Sequence, residues 1–235
     1  MAGGLTQVEW IFFDCFNTLL DEADRLNGEH GMGPIADLPV RSGHFPNRAA
    51  WIDAYLAWRT EAWRDGDYRE IALPERLGAI LGREETALIE AMTTAFEPGF
   101  MATLTVSPGV REVLMHCRKR YRLAVVSNIF VPGLPRRALQ RFGLLDCFEF
   151  VSDSAEVGYK KPAPEIYADA LNRAAAKPEQ VLFVGDNLTN DVLAPERLGI
   201  RAAWFNRSTK PAASDNTVEF NAWSNFVADI LERTD

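Results

Sequence analysis

Five short apolar segments rich in Val, Ile and Phe recur along the chain and are predicted to be β-strands. They are VEWIFFD (8–14), LAVVSN (123–128), FEFVSDS (148–154), QVLFVGD (180–186) and IRAAWFN (200–206). Segments of this length that are apolar on both faces are typical of strands buried within a parallel sheet.

Amphipathic stretches separate the last four apolar segments and are predicted to be helices. They are PRRALQRFGL, PEIYADALNRAA and NDVLAPERLG, and GVREVLMHCRKRY is predicted to be the helix before the second strand. This alternation of strands and helices predicts an α/β fold, in which a parallel sheet of about five strands is flanked by helices.

More than a hundred residues separate the first two predicted strands, which interrupts the alternation. We therefore predict an inserted domain at 20–103 and a core domain formed by 1–19 and 104–235. The insert is mostly amphipathic and helical in pattern, in RAAWIDAYLAWRTEAW, YREIALPERLGAIL and EETALIEAMTTAF. The Gly- and Pro-rich stretch LNGEHGMGPIADLPVRSGHFPN (26–47) is predicted to be a long loop, a feature that is uncommon unless it is functional.

Composition narrows the classes of protein to consider. The 235 residues, 47% of them apolar, suit a core domain with an insert, and the net charge of −8 argues against a nucleic-acid-binding surface. The chain lacks both a signal-peptide pattern and an apolar run of the ~20 residues that a membrane span needs. The three cysteines have no metal-ligand or pairing spacing, so we expect free thiols in a cytoplasmic protein. The sequence does not indicate an oligomeric state.

Polar residues stand at the ends of three predicted strands. Asp14, Asp186 and the pair Ser127-Asn128 each close an apolar segment. In an open parallel sheet the carboxyl ends of the strands form the ligand-binding crevice. A single Asp could equally be solvated or cap a helix, but the joint placement of these residues favours a site.

Two further charged residues are expected at the same edge of the sheet. Asp191 lies at a predicted helix start, and Lys161 lies in GYKKPAPEIY, before a helix whose start is marked by proline. Neighbouring carboxylates repel one another and favour a cation, and hard oxygen ligands suit Mg²⁺. Asp14 could then act as a nucleophile while the metal and Lys161 neutralise an anionic substrate. Backbone N–H groups in the turn after Asp14 and near Asn128 could cradle a phosphate.

Four motifs in order resemble those of the haloacid dehalogenase (HAD) superfamily over essentially the whole chain. DCFNT (14–18) resembles the first motif, D-x-D-x-T, and Ser127 resembles the hydroxyl of the second. GYKKP (158–162) resembles G-x-x-K-P, so that Lys161 rather than Lys160 takes the motif role. GD (185–186) with ND (190–191) resembles the fourth motif.

The resemblance implies a Rossmann-like core, a helical type-1 cap as the insert, and a covalent aspartyl-enzyme intermediate at Asp14. The residues expected to carry catalysis are Asp14, Ser127, Lys161 and Asp191. The expected Mg²⁺ ligands are Asp14, the Phe16 backbone carbonyl, Asp186 and Asp191. The expected substrate contacts are Phe16, Asn17, Thr18 and Asn128.

Two sets of residues in the predicted insert are candidates for substrate contact, although each has a simpler interpretation. Arg41 suits a carboxylate or phosphate in a bidentate contact, and a dehalogenase would need an arginine from this region, but a solvated loop charge is the simpler interpretation. Four aromatic residues recur at roughly helical spacing and are better explained as packing within the cap than as a substrate cradle. They are Trp51, Tyr55, Trp58 and Trp63.

Phe16 departs from the first motif. Family phosphatases carry an acid at this position, which protonates the leaving group and then activates water, and such catalysis is typically worth ~10²–10⁴ in rate. Three interpretations remain open. In the first, the leaving group is a halide that needs no proton, since family 2-haloacid dehalogenases carry an aromatic residue here. In the second, a phosphatase uses a stable leaving group or another acid. In the third, the fold has kept the motifs without turnover.

The fourth motif favours the phosphatase. Dehalogenases resemble S-S-N-x-x-D here and lack the metal-binding Asp, whereas this chain has Asp186, and Leu188 stands where their Asn is expected. VLFVGDNLTNDVLAPERLGIRAAWFNR instead resembles the nucleotidase-type members. We therefore predict a Mg²⁺-dependent phosphatase acting on a small phosphorylated metabolite. The alternatives are a 2-haloacid dehalogenase and a non-catalytic binding protein of the same fold.

Overall fold

The computed structural model describes residues 7–23, 31–208 and 218–231. The chain forms two compact units, which we call the core unit (1–21 and 106–235) and the inserted unit (22–105). Within the described ranges, no helix is both long enough and apolar enough to cross a membrane.

The described part of the core unit contains a six-stranded parallel sheet in the order β5-β4-β1-β6-β7-β8. The strands are β1 (Trp10–Phe13), β4 (Arg122–Ser127), β5 (Phe150–Asp153), β6 (Val181–Gly185), β7 (Arg201–Phe205) and β8 (Glu219–Phe220). Two further strands, β2 (Leu20–Glu22) and β3 (Leu104–Val106), pair with each other. The parallel sheet was predicted correctly, but with about five strands. The additional strand, β8, is only two residues long and therefore leaves no apolar run in the sequence.

The strand order reverses beside β1. From β1 the chain proceeds through β4 to β5 at one edge of the sheet, and β6 then pairs with the other side of β1. In the register of the sheet, Phe13 at the end of β1 pairs with Val125 of β4 and with Val184 of β6. The residues that follow these three positions therefore lie together at the carboxyl edge of the sheet. Such a switch point is where open α/β sheets bind ligands.

Side chains that alternate along β1 build the two faces of the core. Phe12 packs against Trp10 and Phe150, each with ring centroids 5.9 Å away. Phe13 points to the opposite face, where its centroid lies 6.0 Å from Trp223 and 6.4 Å from Phe226. Both faces of β1 are therefore buried, as its continuous apolar pattern predicts.

Helices connect the strands of the core unit as predicted, with one exception. The α-helices are Val110–Cys117, Leu134–Arg141, Ser154–Val157, Pro164–Ala174, Ala194–Arg197 and Trp223–Phe226, and the π-helical segments are Leu188–Leu193 and Val227–Leu231. The exception is NDVLAPERLG, which was predicted to be one α-helix but is π-helical until Leu193. Pro195 has no N–H group, so regular α-helical hydrogen bonding is interrupted there.

The inserted unit is largely helical. Its α-helices are Asp37–Arg41, Arg48–Ala62, Leu73–Leu81 and Thr86–Thr103, and Gly33–Ile35 forms a 3₁₀ turn. The prediction of one long loop at 26–47 is therefore wrong for 33–41, while 26–30 lie outside the described residues. The prolines that suggested a loop fall in the first turns of Gly33–Ile35 and Asp37–Arg41. A missing N–H breaks no helical hydrogen bond there.

The aromatic residues of the inserted unit pack within it. Trp51 and Tyr55 are buried, and the Arg76 guanidinium lies 5.6 Å from the Trp58 ring centroid and 5.1 Å from that of Trp63. Arg76 also donates to the Tyr55 hydroxyl at 3.2 Å. These contacts agree with a packing role for the four aromatic residues.

All three cysteines are free thiols, as predicted. Cys15 and Cys117 are buried, whereas Cys147 is only half-buried. Burial raises the pKa of the Cys117 thiol to about 12, so this group is protonated at neutral pH.

Candidate active site

The ammonium of Lys161 lies at the centre of the carboxyl edge of the sheet. Its Nζ donates to Asp14 Oδ1 at 2.8 Å, to Asp191 Oδ1 at 2.7 Å and to the Val126 carbonyl at 2.9 Å. Because an ammonium has three donors, all of them are satisfied. The side chain is 2% exposed, so these contacts are made away from solvent.

Thr18 links two of the predicted carboxylates. Its hydroxyl donates to Asp14 Oδ2 at 3.0 Å and also lies 3.3 Å from Asp186 Oδ1. The chain can fold back in this way because Asn17 adopts a left-handed backbone conformation (φ 64°), which asparagine tolerates better than most residues. The turn DCFNT thus brings its last residue back to its first.

The fourth motif is built around the Asp191 side chain. A Cβ atom on Gly185 would lie 2.4 Å from Asp191 Cγ, so the absence of a side chain at 185 makes room for the carboxylate. The Asn187 N–H donates to Asp191 Oδ2 at 2.9 Å. The Asn187 side-chain oxygen in turn accepts from the N–H groups of Thr189 (3.1 Å) and Asn190 (3.0 Å) and caps the turn that carries Asp191.

Three carboxylates therefore cluster at this edge of the sheet, and two of them pair with the Lys161 ammonium. One oxygen from each of Asp14, Asp186 and Asp191 can be chosen so that all lie within 4.8 Å of one another. Burial raises the pKa of Asp191, Lys161 lowers it, and the charges of Asp14 and Asp186 raise it, with a net rise above its usual range. Burial alone would lower the pKa of Lys161, but Asp14 and Asp191 outweigh it, and the pKa lies above its usual range. The excess of negative charge favours a bound cation.

Ser127 supplies a buried hydroxyl at the end of β4. It ends β4 and is fully buried, and its Oγ has no hydrogen-bond partner among the described residues. Leaving a buried hydroxyl unpaired costs about 1–3 kcal/mol. An oxygen atom of a bound ligand would remove that cost.

Asn128 contacts the backbone of Lys161. Its Oδ1 accepts from the Lys161 N–H at 2.7 Å, and its Nδ2 donates to the Lys161 carbonyl at 2.9 Å. The side chain therefore fixes the segment that carries the central ammonium. A contact between Asn128 and substrate stays a prediction.

Phe16 and Arg41 occupy contrasting environments. Phe16 is 7% exposed. Arg41 belongs to the inserted unit, where its side chain is 78% exposed and lies 4.0 Å from Asp37. Their contacts with substrate stay predictions, as do those of Asn17 and Thr18.

Sequence reasoning missed several supporting groups. The Val126 carbonyl and the Trp204 indole, which donates to the Asp186 carbonyl at 2.9 Å, leave no recognisable signal in one sequence. Asn187 could have been found, because an asparagine directly before a predicted helix is a typical N-cap. The Val126 carbonyl accepts from the Lys161 ammonium, whereas Trp204 and Asn187 support the segments that carry Asp186 and Asp191.

The fold and site define a class of enzyme: an α/β protein whose parallel sheet presents a lysine-paired aspartate and two further carboxylates at its switch point. The chain belongs to the haloacid dehalogenase-like hydrolases, because the model of that hydrolase family matches residues 8–199. The superfamily resemblance carried by the four motifs is thereby confirmed.

Individual relatives include phosphatases. The chain is 32% identical to a phosphoserine phosphatase of Thermus thermophilus over 72% of this chain and 67% of that protein. It is 29% identical to the pyrimidine 5'-nucleotidase YjjG of Escherichia coli, over 84% and 86% of the two chains. In structure it resembles a 2-haloacid dehalogenase from Pseudomonas syringae pv. Tomato DC3000, with a TM-score of 0.74 and 22% identity over 97% and 100% of the two chains. At that identity, the structural likeness shows the fold alone.

Proposed function

We propose that the protein is a Mg²⁺-dependent phosphatase that hydrolyses a small phosphate monoester through a covalent intermediate at Asp14. One observation carries the proposal: carboxylate oxygens of Asp14, Asp186 and Asp191 lie within 4.8 Å of one another, and only Asp14 and Asp191 of the three have a described contact with the Lys161 ammonium. A protein whose reaction required only the ion pair between Lys161 and Asp14 would not need a further carboxylate at Asp186.

The donor set fits Mg²⁺. The ligands would be carboxylate oxygens of Asp14, Asp186 and Asp191, with the backbone carbonyl of Phe16, and Mg²⁺ accepts such hard oxygen ligands together with water. When bound, the ion would neutralise charge on the phosphoryl oxygens.

The side chains have distinct roles in the proposed reaction. An Asp14 oxygen attacks phosphorus, so that an Asp14 oxygen–phosphorus bond forms while the ester P–O bond breaks and the alkoxide departs, taking a proton from solvent water. Lys161 and Thr18 hold the Asp14 carboxylate in place, and the Ser127 hydroxyl donates to a phosphoryl oxygen. Water then attacks phosphorus, the Asp14 oxygen–phosphorus bond breaks, and the proton that water loses passes to solvent, which releases inorganic phosphate and restores the Asp14 carboxylate.

The relatives support a small, anionic substrate. The names of the Thermus thermophilus and Escherichia coli proteins describe action on phosphoserine and on pyrimidine nucleotides, both of which are phosphate monoesters. We propose a substrate of this class for a cytoplasmic enzyme that acts on neither nucleic acid nor membranes.

Phe16 favours one alternative, a 2-haloacid dehalogenase. A halide leaves without a proton, so an apolar residue at this position would cost such an enzyme nothing. In that reaction Asp14 would attack carbon instead of phosphorus.

A paired assay tests both proposals. Phosphate release from a set of phosphate monoesters is measured with Mg²⁺ and with EDTA, and halide release from 2-haloacids is measured in parallel. We expect phosphate release that requires Mg²⁺; halide release insensitive to EDTA would favour the dehalogenase instead. Failure of both assays would indicate a non-catalytic binding protein.

Substitution of the nucleophile tests the covalent step. Asp14→Asn should abolish hydrolysis, because an amide cannot form the acyl phosphate, while circular dichroism stays unchanged. Asp146→Asn, an exposed carboxylate elsewhere in the core unit, serves as the matched control and should keep wild-type activity. Wild-type turnover by Asp14→Asn would contradict the mechanism.

A further inference from the structure

A guanidinium just beyond β7 joins separate segments of the core unit. Arg207 Nη2 donates to Ser107 Oγ at 2.7 Å, pairs with the Asp21 carboxylate and lies 3.5 Å from the Thr18 carbonyl. The same guanidinium stacks over the Phe205 ring, 4.4 Å from its centroid. Segments distant in sequence therefore meet at one side chain.

Other groups donate to the backbone of the same loop. The Trp223 indole N–H donates to the Thr18 carbonyl at 3.3 Å, and the Ser107 N–H donates to the Leu19 carbonyl at 3.0 Å. Arg207 thus belongs to a set of donors directed at the backbone that follows the first motif. Its side chain is 35% exposed, whereas Trp223 is buried, so Arg207 can be replaced with less disturbance of the core.

The position of Thr18 gives these contacts a consequence for the carboxylates. Its carbonyl receives donors from Trp223 and Arg207, while its hydroxyl contacts Asp14 Oδ2 and Asp186 Oδ1. A shift of the Thr18 backbone would therefore move a side chain that contacts both of these carboxylates. Arg207 makes no described contact with either carboxylate itself.

We propose that Arg207 is a positioning residue. It holds the Thr18 backbone so that the Thr18 hydroxyl keeps the carboxylates of Asp14 and Asp186 in their relative positions. Its effect on turnover rests on the proposed function, whereas its effect on the loop does not. Arginine suits this role because its planar group can stack on Phe205 while its N–H groups reach several acceptors, which the compact ammonium of lysine cannot reproduce.

Three variants separate positioning from general stability. They are Arg207→Gln, Arg207→Lys and, as the control, Arg136→Gln, which removes an exposed arginine from the helix Leu134–Arg141. We expect Arg207→Gln to lower kcat by on the order of ten- to a hundredfold with little change in KM, because misplacement of catalytic groups mainly slows the chemical step. Arg207→Lys should recover part of the loss, and the control should match wild type.

Hydrogen exchange provides a readout that does not require activity. In Arg207→Gln, the backbone amides of 14–21 should exchange faster, while those of β4 and β5 keep wild-type rates. Wild-type exchange at 14–21 would overturn the proposal. So would faster exchange throughout the core unit with a matching loss of Tm, because that result describes a general stability residue.

The two proposals can fail separately. If the wild-type protein released neither phosphate nor halide, the proposed function would be wrong, but exchange at 14–21 would still decide the role of Arg207. If wild type were active and Arg207→Gln kept both its kcat and its exchange rates, the positioning role alone would be wrong.

Discussion

At the scale of single residues, Lys161 allows Asp14 and Asp191 to lie close together away from solvent. Both carboxylates accept from its Nζ, and a buried charge that loses its partner costs about 3–5 kcal/mol. Lys161 also shows that motif spacing can predict which of two neighbouring lysines is buried. The spacing in GYKKP selects Lys161, which is 1% exposed, over its neighbour Lys160, which is half-buried.

Phe16 is the residue at which the reaction type can be tested. In the proposed phosphatase, Phe16→Asp would supply an acid and base, so turnover of alkyl phosphates should rise by up to the ~10²–10⁴ typical of such catalysis. Aryl phosphates with good leaving groups should gain less. Initial rates with Mg²⁺ on the two substrate types measure the difference.

In a dehalogenase the same substitution should lower halide release, because it places a carboxylate near an anionic substrate. Phe16→Leu keeps an apolar residue and serves as the control in both assays. A decrease in both activities with Phe16→Asp would indicate that Phe16 acts mainly through packing.

Positions held by tertiary contacts were beyond sequence reasoning. Asp14, Ser127 and Asp186 could be placed at one edge because each closes an apolar strand. Arg207 follows a strand as well, but its contacts with Ser107 depend on how distant segments meet. A single sequence records no signal for such a contact.

At the scale of elements, the turn that carries Asp191 depends on its cap. Asn187→Ala removes the acceptor for two backbone N–H groups and should lower the free energy of unfolding by about 1 kcal/mol. The backbone N–H at 187 that donates to Asp191 remains, but loss of the cap should loosen the turn that presents this carboxylate, so we expect loss of activity as well. Urea denaturation and steady-state kinetics measure the two effects.

A second N-cap in the chain provides the control. Asn47 caps the helix Arg48–Ala62 of the inserted unit and accepts from the Ala50 N–H at 2.9 Å. Asn47→Ala should cost a similar free energy of unfolding while keeping more activity than Asn187→Ala. Equal losses of activity would show that stability alone explains both variants.

Element length decided which parts of the fold could be predicted. β1, β4 and β6 each contain four consecutive apolar residues and were placed within two residues of their bounds. The two-residue β8 has no periodicity to recognise. The helix Asp37–Arg41 was hidden because proline signals a loop in sequence, yet is tolerated in a first turn.

At the scale of the whole molecule, Mg²⁺ binding at the proposed site would link the stability of the protein to the ion. An ion bound only by the folded state at 100 times its Kd stabilises by about 2.7 kcal/mol, which should raise Tm by about 5–10 °C. Thermal unfolding monitored by circular dichroism, with Mg²⁺ or with EDTA, measures the shift.

Asp186→Asn tests whether the stabilisation by Mg²⁺ depends on the Asp186 carboxylate. It removes one repelling charge, so Tm in EDTA should stay level or rise, while the increase produced by Mg²⁺ should shrink. Asp146→Asn should keep the full increase. An undiminished Mg²⁺ effect in Asp186→Asn would exclude Asp186 as a ligand.

The hydrogen bond from Trp204 to the Asp186 carbonyl gives the protein an intrinsic optical probe. The indole is 3% exposed and donates to the backbone of a proposed metal ligand, so a charge arriving at Asp186 should shift its fluorescence. Titration of the wild-type protein with Mg²⁺ should change the emission. Trp204→Phe should remove most of this change despite the five other tryptophans. Occupancy of the site could then be followed in solution before any substrate is known.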